Sequence, residues 1–350
     1  MCDKRRLGKR VVFGALHVGL LLLLTSPVAF AQSTATLLGT VQDASGAVLP
    51  GVTVTARHIA TGVERTVVTG ADGAYRAPAL PVGAYEVRAE LADFRTEVRK
   101  GITLTVGQEA VIAFSLELGA LNETLTVTGE APLVNTTSAS LGGLVDAARI
   151  ESLPLLGRNS IELTLMQPGV VEHNFSRGTA RVGQWFSSGG ATLRSNNFLL
   201  DGTMTNTLHG AGNASYSENT LGLDGIQEYR VLTSSYGAEY GMRMGSQSIM
   251  VSKSGTNTFG GSAFEYFRDQ HMKARGYFDT GEKPDFSRHN FGGSLGGPVM
   301  RNKVFFFGTV ELVRERLGRT EIFETIPASA RVDGGLVPKI NPLMKPFLNL

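Results

Sequence analysis

The stretch "GSQSIMVSKSGTNTFGGSAFEYFRD", Gly245 to Asp269, changes character at its centre. Up to Val251 it reads as a plain strand of a soluble protein. After "KSGTN" it becomes a loose alternation of glycine, serine and aromatic residues, and the tetrapeptide "FGGS" at Phe259–Ser262 returns at Phe291–Ser294. A strand with aromatic residues on one face and small or polar residues on the other indicates a sheet whose two sides meet different surroundings.

Two segments of this region show the alternation. In "GGSAFEYF", one face carries Ser262, Phe264 and Tyr266, and the other carries Gly261, Ala263 and Glu265. In "KVFFFGTVELVRER", an apolar face of Val304, Phe306, Val310 and Leu312 lies opposite Thr309, Glu311 and Glu315. A strand between lipid and a polar lumen needs this pattern, and only a closed barrel satisfies strand edges inside a bilayer. A soluble sandwich with glycine bulges shows the same alternation, so the pattern alone leaves both open.

The N-terminus has the three parts of a secretory signal peptide. Basic residues fill Lys4–Arg10, an apolar run extends over Val11–Leu24, and alanines flank Phe30. This order fits a basic n-region, an h-region and an A-x-A cleavage site. The apolar run is too short to span a bilayer as a helix. We therefore predict that residues 1–31 are cleaved and that the mature chain begins near Gln32.

Cleavage changes the charge and the cysteine content of the exported chain. It removes five basic residues and one acidic residue, so the formal charge changes from +2 to −2, and it removes Cys2, the only cysteine. No basic block remains, so nucleic acid is not an expected partner. No later run is apolar over the length that a transmembrane helix requires.

Residues 34–118 read as short strands separated by turns. Apolar and polar residues alternate in "GVTVTARH", "AYEVRAEL" and "VIAFSLEL", and turns fall at "DASG", "ATG", "ADG" and "PVG", where Gly and Asp tolerate a positive φ. The residues predicted to share the inner faces are Val52, Val54, Ala56, Tyr85, Val87, Ala89, Leu91, Ile112, Phe114, Leu116 and Leu118. Strands with period 2 and regular turns predict a β-sandwich.

The stretches "GTVQDASGAVLPGVTVTA" and "TGADGAYRAPALPVGAYEVRAEL" resemble the carboxypeptidase regulatory-like domain. The resemblance implies a transthyretin-like sandwich, in a fold grouped with carbohydrate-binding-like modules, and it implies no catalysis. The sequence has no zinc-ligand spacing such as H-x-x-E, and its six histidines are scattered. Each histidine is expected to be a surface or packing residue.

The next motifs follow the order of a second family. "LGALNETLTVTGEAP", "IESLPLLGRNSIELTLMQPGV", "NNFLLDGTMTN" and "LDGIQEYRVLTSSYGAEYGMRMGSQSIMVSKSGTN" resemble the plug of TonB-dependent outer-membrane receptors, in the Oar-like subgroup that carries this sandwich before the plug. One departure is that Ser246 and Gln247 replace small residues, which puts only local packing in doubt.

The resemblance implies a mainly β fold in five parts. We expect a signal peptide at 1–31, the regulatory-like sandwich at 32–118 and a linker at 119–133. An α+β plug at 134–256 and the first strands of an outer-membrane β-barrel at 257–350 complete the layout. A plugged transporter barrel needs about 22 strands, so the chain is expected to be C-terminally incomplete.

The sequence gives little sign of a common enzyme motif. H-E-x-x-H and P-loop patterns do not occur, and the one G-x-S-x-G match, Gly292–Gly296, overlaps the repeated FGGS tetrapeptide. We expect neither catalytic, metal nor cofactor-binding residues, and a chain that is not an enzyme.

The segment "ETLTVTG" resembles a TonB box, the stretch that these receptors offer to the periplasmic domain of TonB. The resemblance implies that Glu123, Thr124, Leu125, Thr126 and Val127 contact TonB. Such a contact forms by strand addition, in which backbone hydrogen bonds give most of the affinity. An ordinary linker or a terminal sandwich strand is the alternative.

Two glycine- and serine-rich stretches of the plug, 181–197 and 207–219, are candidate ligand loops. Exposed aromatic and polar residues there could stack on and hydrogen-bond an extracellular glycan or peptide, and the candidates are Trp185, Arg194, His209 and Tyr216. Loops of this composition without a function look the same.

Two functions of different class remain. The first is a TonB-dependent receptor of the bacterial outer membrane, in contact with lipid, that imports an extracellular ligand. The second is a secreted or surface adhesion or glycan-binding protein without transport, and a hydrolase accessory domain is a third, weaker reading. The sequence does not reveal the ligand.

Overall fold

The structure is a computed structural model. It describes residues 33–119, 124–128, 139–153, 155, 158–173, 185–206, 221–275, 283–318, 326–336 and 338–348. The predicted signal peptide lies outside the described residues. The described chain is mainly β, as the sequence predicts. It divides into two compact units, Met1–Ser262 with Gly293–Val310, and Ala263–Gly292 with Glu311–Leu350.

Nine strands in two sheets build the N-terminal sandwich. They are β1 (Ala35–Asp43), β2 (Thr53–His58), β3 (Glu64–Val68), β4 (Ala74–Leu80), β5 (Gly83–Glu90), β6 (Thr96–Leu104), β7 (Glu109–Val111), β8 (Phe114–Leu116) and β9 (Thr124–Thr128). In the first sheet, β1 pairs antiparallel with β4 and parallel with β7 and then β8. The second sheet has the order β3-β2-β5-β6-β9, antiparallel except for the parallel pair β6–β9.

The inner faces of the two sheets form one apolar core. Nine of the residues predicted from the alternation are buried in this core. They are Val52, Val54, Ala56, Tyr85, Val87, Ala89, Ile112, Phe114 and Leu116. Leu91 is partly buried against this core. The prediction is wrong for Leu118, which is 76% exposed. Strand β8 ends at Leu116, and Leu118 makes only an isolated bridge with Phe94.

Leu116 and Leu118 provide a matched pair for measuring this core. Leu116 is 1% exposed and Leu118 is 76% exposed, although they lie two positions apart. We expect Leu116→Ala to lower the free energy of unfolding by about 2–4 kcal/mol. Leu118→Ala should change it by less than about 0.5 kcal/mol. Urea denaturation of a fragment spanning residues 33–128 measures both, and equal losses would contradict the boundary at Leu116.

The predicted turn at "DASG" shows how the sandwich strands are joined. The Asp43 carboxylate accepts hydrogen bonds from the backbone N–H groups of Ser45 (2.8 Å) and Ala47 (2.9 Å). Gly46 has a φ of 87°, in the left-handed region that glycine adopts without steric cost. Asp and Gly therefore occupy this turn for separate physical reasons.

A second α+β region follows the sandwich. Its elements are β10 (Leu141–Asp146), α1 (Ala147–Ser152), α2 (Glu162–Leu165), β11 (Val170–Glu172), β12 (Phe186–Ser188), β13 (Asn197–Leu200), β14 (Thr203–Met204), β15 (Ile226–Ser234) and β16 (Gln247–Ser252). Five strands form a sheet in the order β10-β15-β16-β13-β14, and β11 pairs with β12. The Asp146 side chain accepts a hydrogen bond from the Arg149 N–H and caps α1.

Three long strands form the last sheet. They are β17 (Gly260–Asp269), β18 (Phe286–Met300) and β19 (Val304–Leu317), in that order, and a short helix α3 (Lys345–Leu348) follows. Single 3₁₀ turns lie at Leu223–Gly225, Gln270–Met272 and Ala328–Ala330. Among the described residues, none of the helices is long and apolar enough to cross a membrane.

Candidate functional site

The TonB-box-like segment forms the last strand of the sandwich's second sheet. Strand β9 lies parallel to β6, in a register that runs from Thr96 beside Thr124 to Lys100 beside Thr128. Glu123 lies outside the described residues. The extended conformation predicted from the sequence is confirmed for Thr124–Thr128, and the pairing is the one expected of a terminal sandwich strand. Contact with TonB stays a prediction.

The segment is held through its backbone. Within the described part of the chain, β9 pairs with β6 alone, and β6 has β5 as its other neighbour. Thr126, at the middle of the segment, is exposed. A strand paired on one side presents N–H and C=O groups on the other, so β9 forms the open edge of this sheet.

A turn of the sandwich contacts strand β15 of the α+β region. The Val106 N–H donates to Oε2 of Glu228 over 2.8 Å, and the Arg230 guanidinium donates to the Val106 carbonyl oxygen. Val106 is buried in a small apolar cluster with Leu232, Ile249 and partly buried neighbours. Two ionisable side chains thus hold one backbone unit of the sandwich.

Glu228 is a buried carboxyl group at this contact. Burial raises the pKa of Glu228 to about 7, against the opposing effects of the Val106 N–H and the Arg230 charge, while Asp146 acts in the same direction as burial. The protonated form is therefore favoured in the folded chain well above the usual range of a glutamate.

The Glu228 contact should make stability depend on pH. Because the folded-state pKa is raised, this stabilisation is complete below the unfolded pKa near 4.5 and is lost as the pH rises through about 7. The contribution of Glu228 to the free energy of unfolding has an upper limit of about 3 kcal/mol. Glu228→Gln keeps an acceptor for Val106 but cannot titrate, so its unfolding free energy should lack this component. Urea denaturation at several pH values tests this, and parallel pH profiles for the two proteins would refute it.

A buried ion pair lies within the first unit, beside Ser262. Arg158 and Asp224 form it, with side chains 12% and 9% exposed. The Ser262 hydroxyl donates to Oδ1 of Asp224 over 2.8 Å and lies 2.9 Å from the Ser294 hydroxyl oxygen. Arg158 has a φ of 57°, a conformation that costs energy outside glycine and needs support from its surroundings.

The β17–β19 sheet exposes many apolar side chains. The predicted apolar face of β19 is confirmed as exposed, and the exposed apolar residues of this region include Phe259, Phe291, Leu295, Val299, Val304, Phe306, Val310 and Leu312. The rings of Phe259 and Phe306 lie 6.2 Å apart. A soluble domain rarely leaves such a surface in water.

The opposite face of this sheet carries polar pairs. Within the second unit, the Asn290 amide donates to Glu311 over 2.8 Å. Arg288 pairs with Glu315 at 3.1 Å. On β19, Glu311 and Glu315 alternate with the exposed apolar residues, which matches the alternation in the sequence.

The structure describes two of the four ligand-loop candidates. Arg194 is exposed, as expected. Trp185 is 6% exposed, so the expectation of an exposed aromatic is wrong for it. Its carbonyl oxygen accepts a hydrogen bond from the His173 N–H, which extends the β11–β12 pairing by one bond. His209 and Tyr216 lie outside the described residues, and a ligand role stays a prediction for all four.

His58 tests the expectation that the histidines are surface or packing residues. Its ring lies edge-on to Tyr85 at 5.0 Å and its Nδ1 accepts from the Thr61 N–H, as a packing residue does. Across the described residues, no group of three or more His, Cys, Asp and Glu side chains could hold a metal ion.

Sequence reasoning missed Glu228, Arg230 and Asp224. The first two lie in "IQEYRVL", where two charged residues of the same parity interrupt a β-prone apolar run. Such charges in a strand buried on both sides require partners. That signal was present in the sequence, although the partner Val106 was not identifiable from it.

Comparison with known proteins assigns two regions of the chain. Residues 36–117 match the family model for the carboxypeptidase regulatory-like domain, and residues 251–347 match that for an outer membrane beta barrel domain. The chain is 32% identical over 302 residues to the TonB-dependent transporter Oar of Myxococcus xanthus. The alignment covers 81% of this chain and 27% of that relative, so the chain spans only a part of the relative's length.

Solved siderophore receptors are similar over about half of this chain. PirA of Acinetobacter baumannii has 21% identity and a TM-score of 0.39, covering 51% of this chain and 25% of PirA. The ferric enterobactin receptor PfeA of Pseudomonas aeruginosa has 15% identity and a TM-score of 0.39, covering 52% and 26%. Both TM-scores are low, so the family assignment rests on sequence similarity.

The chain has a regulatory-like sandwich followed in sequence by an outer-membrane barrel domain. It is therefore an outer-membrane protein. Within that class, the chain belongs to the TonB-dependent receptors of the Oar-like subgroup. The Myxococcus xanthus relative is named a transporter, and that this chain is not an enzyme stays a prediction.

Proposed function

We propose that the chain belongs to a receptor that binds an extracellular ligand and imports it with energy delivered by TonB. The observation that carries this proposal is the 32% identity to a TonB-dependent transporter across 81% of the chain. The identity spans more of the chain than the two matched domains, which supports a shared arrangement rather than one shared module.

Each part of the chain has a role in this proposal. The exposed apolar face of β17–β19 contacts outer-membrane lipid. The sandwich lies in the periplasm, where Glu123–Val127 meets the periplasmic domain of TonB. Residues 134–256 form the plug, and a pull on the segment is transmitted to the plug because the segment precedes it in the chain. The extracellular glycan or peptide is received by exposed residues of the 181–197 stretch, such as Arg194, and by the 207–219 stretch, which lies outside the described residues.

The test is uptake by the complete receptor. Affinity capture from culture medium first identifies a ligand, which is then labelled and supplied to cells with and without TonB. We expect accumulation only in cells with TonB, while surface binding is the same in both. Accumulation that does not depend on TonB would contradict the proposal. Recovery of the protein from the medium instead of the outer membrane would favour the adhesion or glycan-binding alternative.

A further inference from the structure

The exposed row of side chains along β19 changes from apolar to basic near the end of the strand. Up to position 312, the exposed apolar residues of β19 lie at even positions, namely Val304, Phe306, Val310 and Leu312. The odd positions up to Glu311 are half-buried. The next even positions hold Arg314 and Arg316, which are also exposed. Because β19 is continuous to Leu317 and side chains alternate along a strand, both arginines extend the apolar row.

The lengths of the connections show which end of β19 faces outward. Residues 301–303 join β18 to β19, whereas residues 270–285 separate β17 from β18. Outer-membrane barrels have short turns on the periplasmic side and longer loops outside. The apolar row from Val304 to Leu312 extends about 26 Å along the strand, which is comparable to the apolar band of about 25 Å in such barrels. Arg314 and Arg316 therefore lie at the level of the outer-leaflet headgroups.

The charges of Arg314 and Arg316 are open to an anion. Glu315 lies between them in the sequence, but its carboxylate pairs with Arg288 at 3.1 Å. Among the described residues, neither Arg314 nor Arg316 pairs with a carboxylate. A guanidinium group stays protonated at any ordinary pH, so two positive charges remain on this part of the strand.

The two arginines border a groove at the outer end of β18 and β19. The groove has a volume of about 650 Å³ and is lined by Ser287, His289, Val313, Arg314, Glu315 and Arg316. Its hydrogen-bond donors include two guanidinium groups, an imidazole and a hydroxyl group. Oε1 of Glu265 lies 3.5 Å from Nδ1 of His289. This one carboxylate opposes an anion beside the imidazole ring, but the two guanidinium charges outnumber it.

We propose that this groove binds the phosphate group of a lipid A-type glycolipid in the outer leaflet, whose acyl chains lie along the apolar row of β19. A guanidinium group binds phosphate through two parallel hydrogen bonds. The adjoining apolar row suits a ligand that carries acyl chains, and the outward position selects the lipid of the outer leaflet. The inference rests on the proposed function in one point, namely that the exposed apolar residues of β17–β19 contact outer-membrane lipid.

Lipid binding to the complete receptor in detergent tests this proposal. The probes are bisphosphorylated lipid A and the same lipid A after removal of both phosphates, and native mass spectrometry measures their binding. Arg314→Gln combined with Arg316→Gln should weaken binding of the bisphosphorylated form at least about tenfold. The dephosphorylated form should bind equally weakly to the wild type and to this variant. Arg314→Lys combined with Arg316→Lys should fall between them, because lysine keeps the charge but not the planar fork.

Arg301→Gln combined with Lys303→Gln is the matched control. Both residues are exposed and belong to the short turn at the opposite end of β19, so this variant loses the same number of positive charges from the same hairpin. It should bind bisphosphorylated lipid A as the wild type does. Circular dichroism of every variant checks that the fold is unchanged.

Three binding results would overturn the proposal. Equal losses in the two glutamine variants would show a general effect of charge. Equal binding of the two forms of lipid A would show that the acyl chains alone are recognised. Displacement of lipid A by the same concentration of phosphatidylglycerol would show that any anionic lipid suffices. The proposed function would stand in each case if TonB-dependent uptake is unchanged, whereas a receptor that is recovered from the medium and not from the outer membrane would overturn both.

Discussion

Leu125→Pro or Val127→Pro should abolish capture of the receptor by the periplasmic domain of TonB and reduce TonB-dependent uptake to background. Proline removes a backbone donor and fixes φ, which a paired strand tolerates poorly. Either substitution should also weaken the pairing with β6, which by itself would free the segment and increase capture. A loss of capture therefore reports on the pairing with TonB. Pull-down and uptake by the full-length receptor measure the two effects.

Thr126→Ser is the control for these variants. It changes an exposed side chain and keeps the backbone, so TonB capture should remain as in the wild type. Ligand binding at the outer face should persist in the proline variants, because the proposed ligand loops lie on the opposite side of the membrane. If both proline variants bind TonB and transport normally, the segment is only a linker. The coupling contact must then be sought elsewhere between Ala120 and Leu144.

Asp224→Ala should strongly destabilise the α+β region. It removes the Asp224 carboxylate from its ion pair with Arg158, whose side chain is 12% exposed. Removing one partner of a buried pair costs about 3–5 kcal/mol. It also removes the acceptor of the Ser262 hydroxyl. Urea denaturation can be followed by fluorescence, because the only tryptophan, Trp185, is buried in the same unit.

Glu151→Ala is the matched control. Glu151 pairs with Lys253 at 2.9 Å, but its side chain is 56% exposed, so the expected loss is below about 1 kcal/mol. A double variant with Arg158→Met and Asp224→Leu should lose less than Asp224→Ala, since it leaves no buried charge at this pair. If Asp224→Ala and Glu151→Ala lower the free energy of unfolding by similar amounts, the buried Arg158–Asp224 pair contributes no more to stability than the exposed Lys253–Glu151 pair.

Local alternation was sufficient to predict nine residues of the sandwich core and the apolar face of β19. In both cases the period of two is set by the strand itself and needs no knowledge of its neighbours. The error at Leu118 arose because alternation continues in the sequence after β8 has ended at Leu116. The sequence contains no signal that strand β8 ends at Leu116.

The candidate site was predictable only in part. The sequence indicated that Thr124–Thr128 is extended, but not that β6 is its neighbour, because pairing partners are set by the tertiary fold. The Val106–Glu228 contact joins residues 122 positions apart, which no local pattern specifies. Trp185 was expected to be exposed because glycine and serine surround it, but it directly precedes β12, whose pairing with β11 the local sequence does not specify.

The parallel direction of β9 against β6 gives the sandwich a mechanical property. Thr124 lies beside Thr96 and Thr128 beside Lys100, so a force along β9 would load the whole ladder at once, in shear. A force at right angles, applied at Thr128, would instead peel the backbone bonds apart one after another. Shear needs the larger force, because the bonds share the load and must fail together. The direction of the pull, and not only its strength, therefore decides how readily this strand is released.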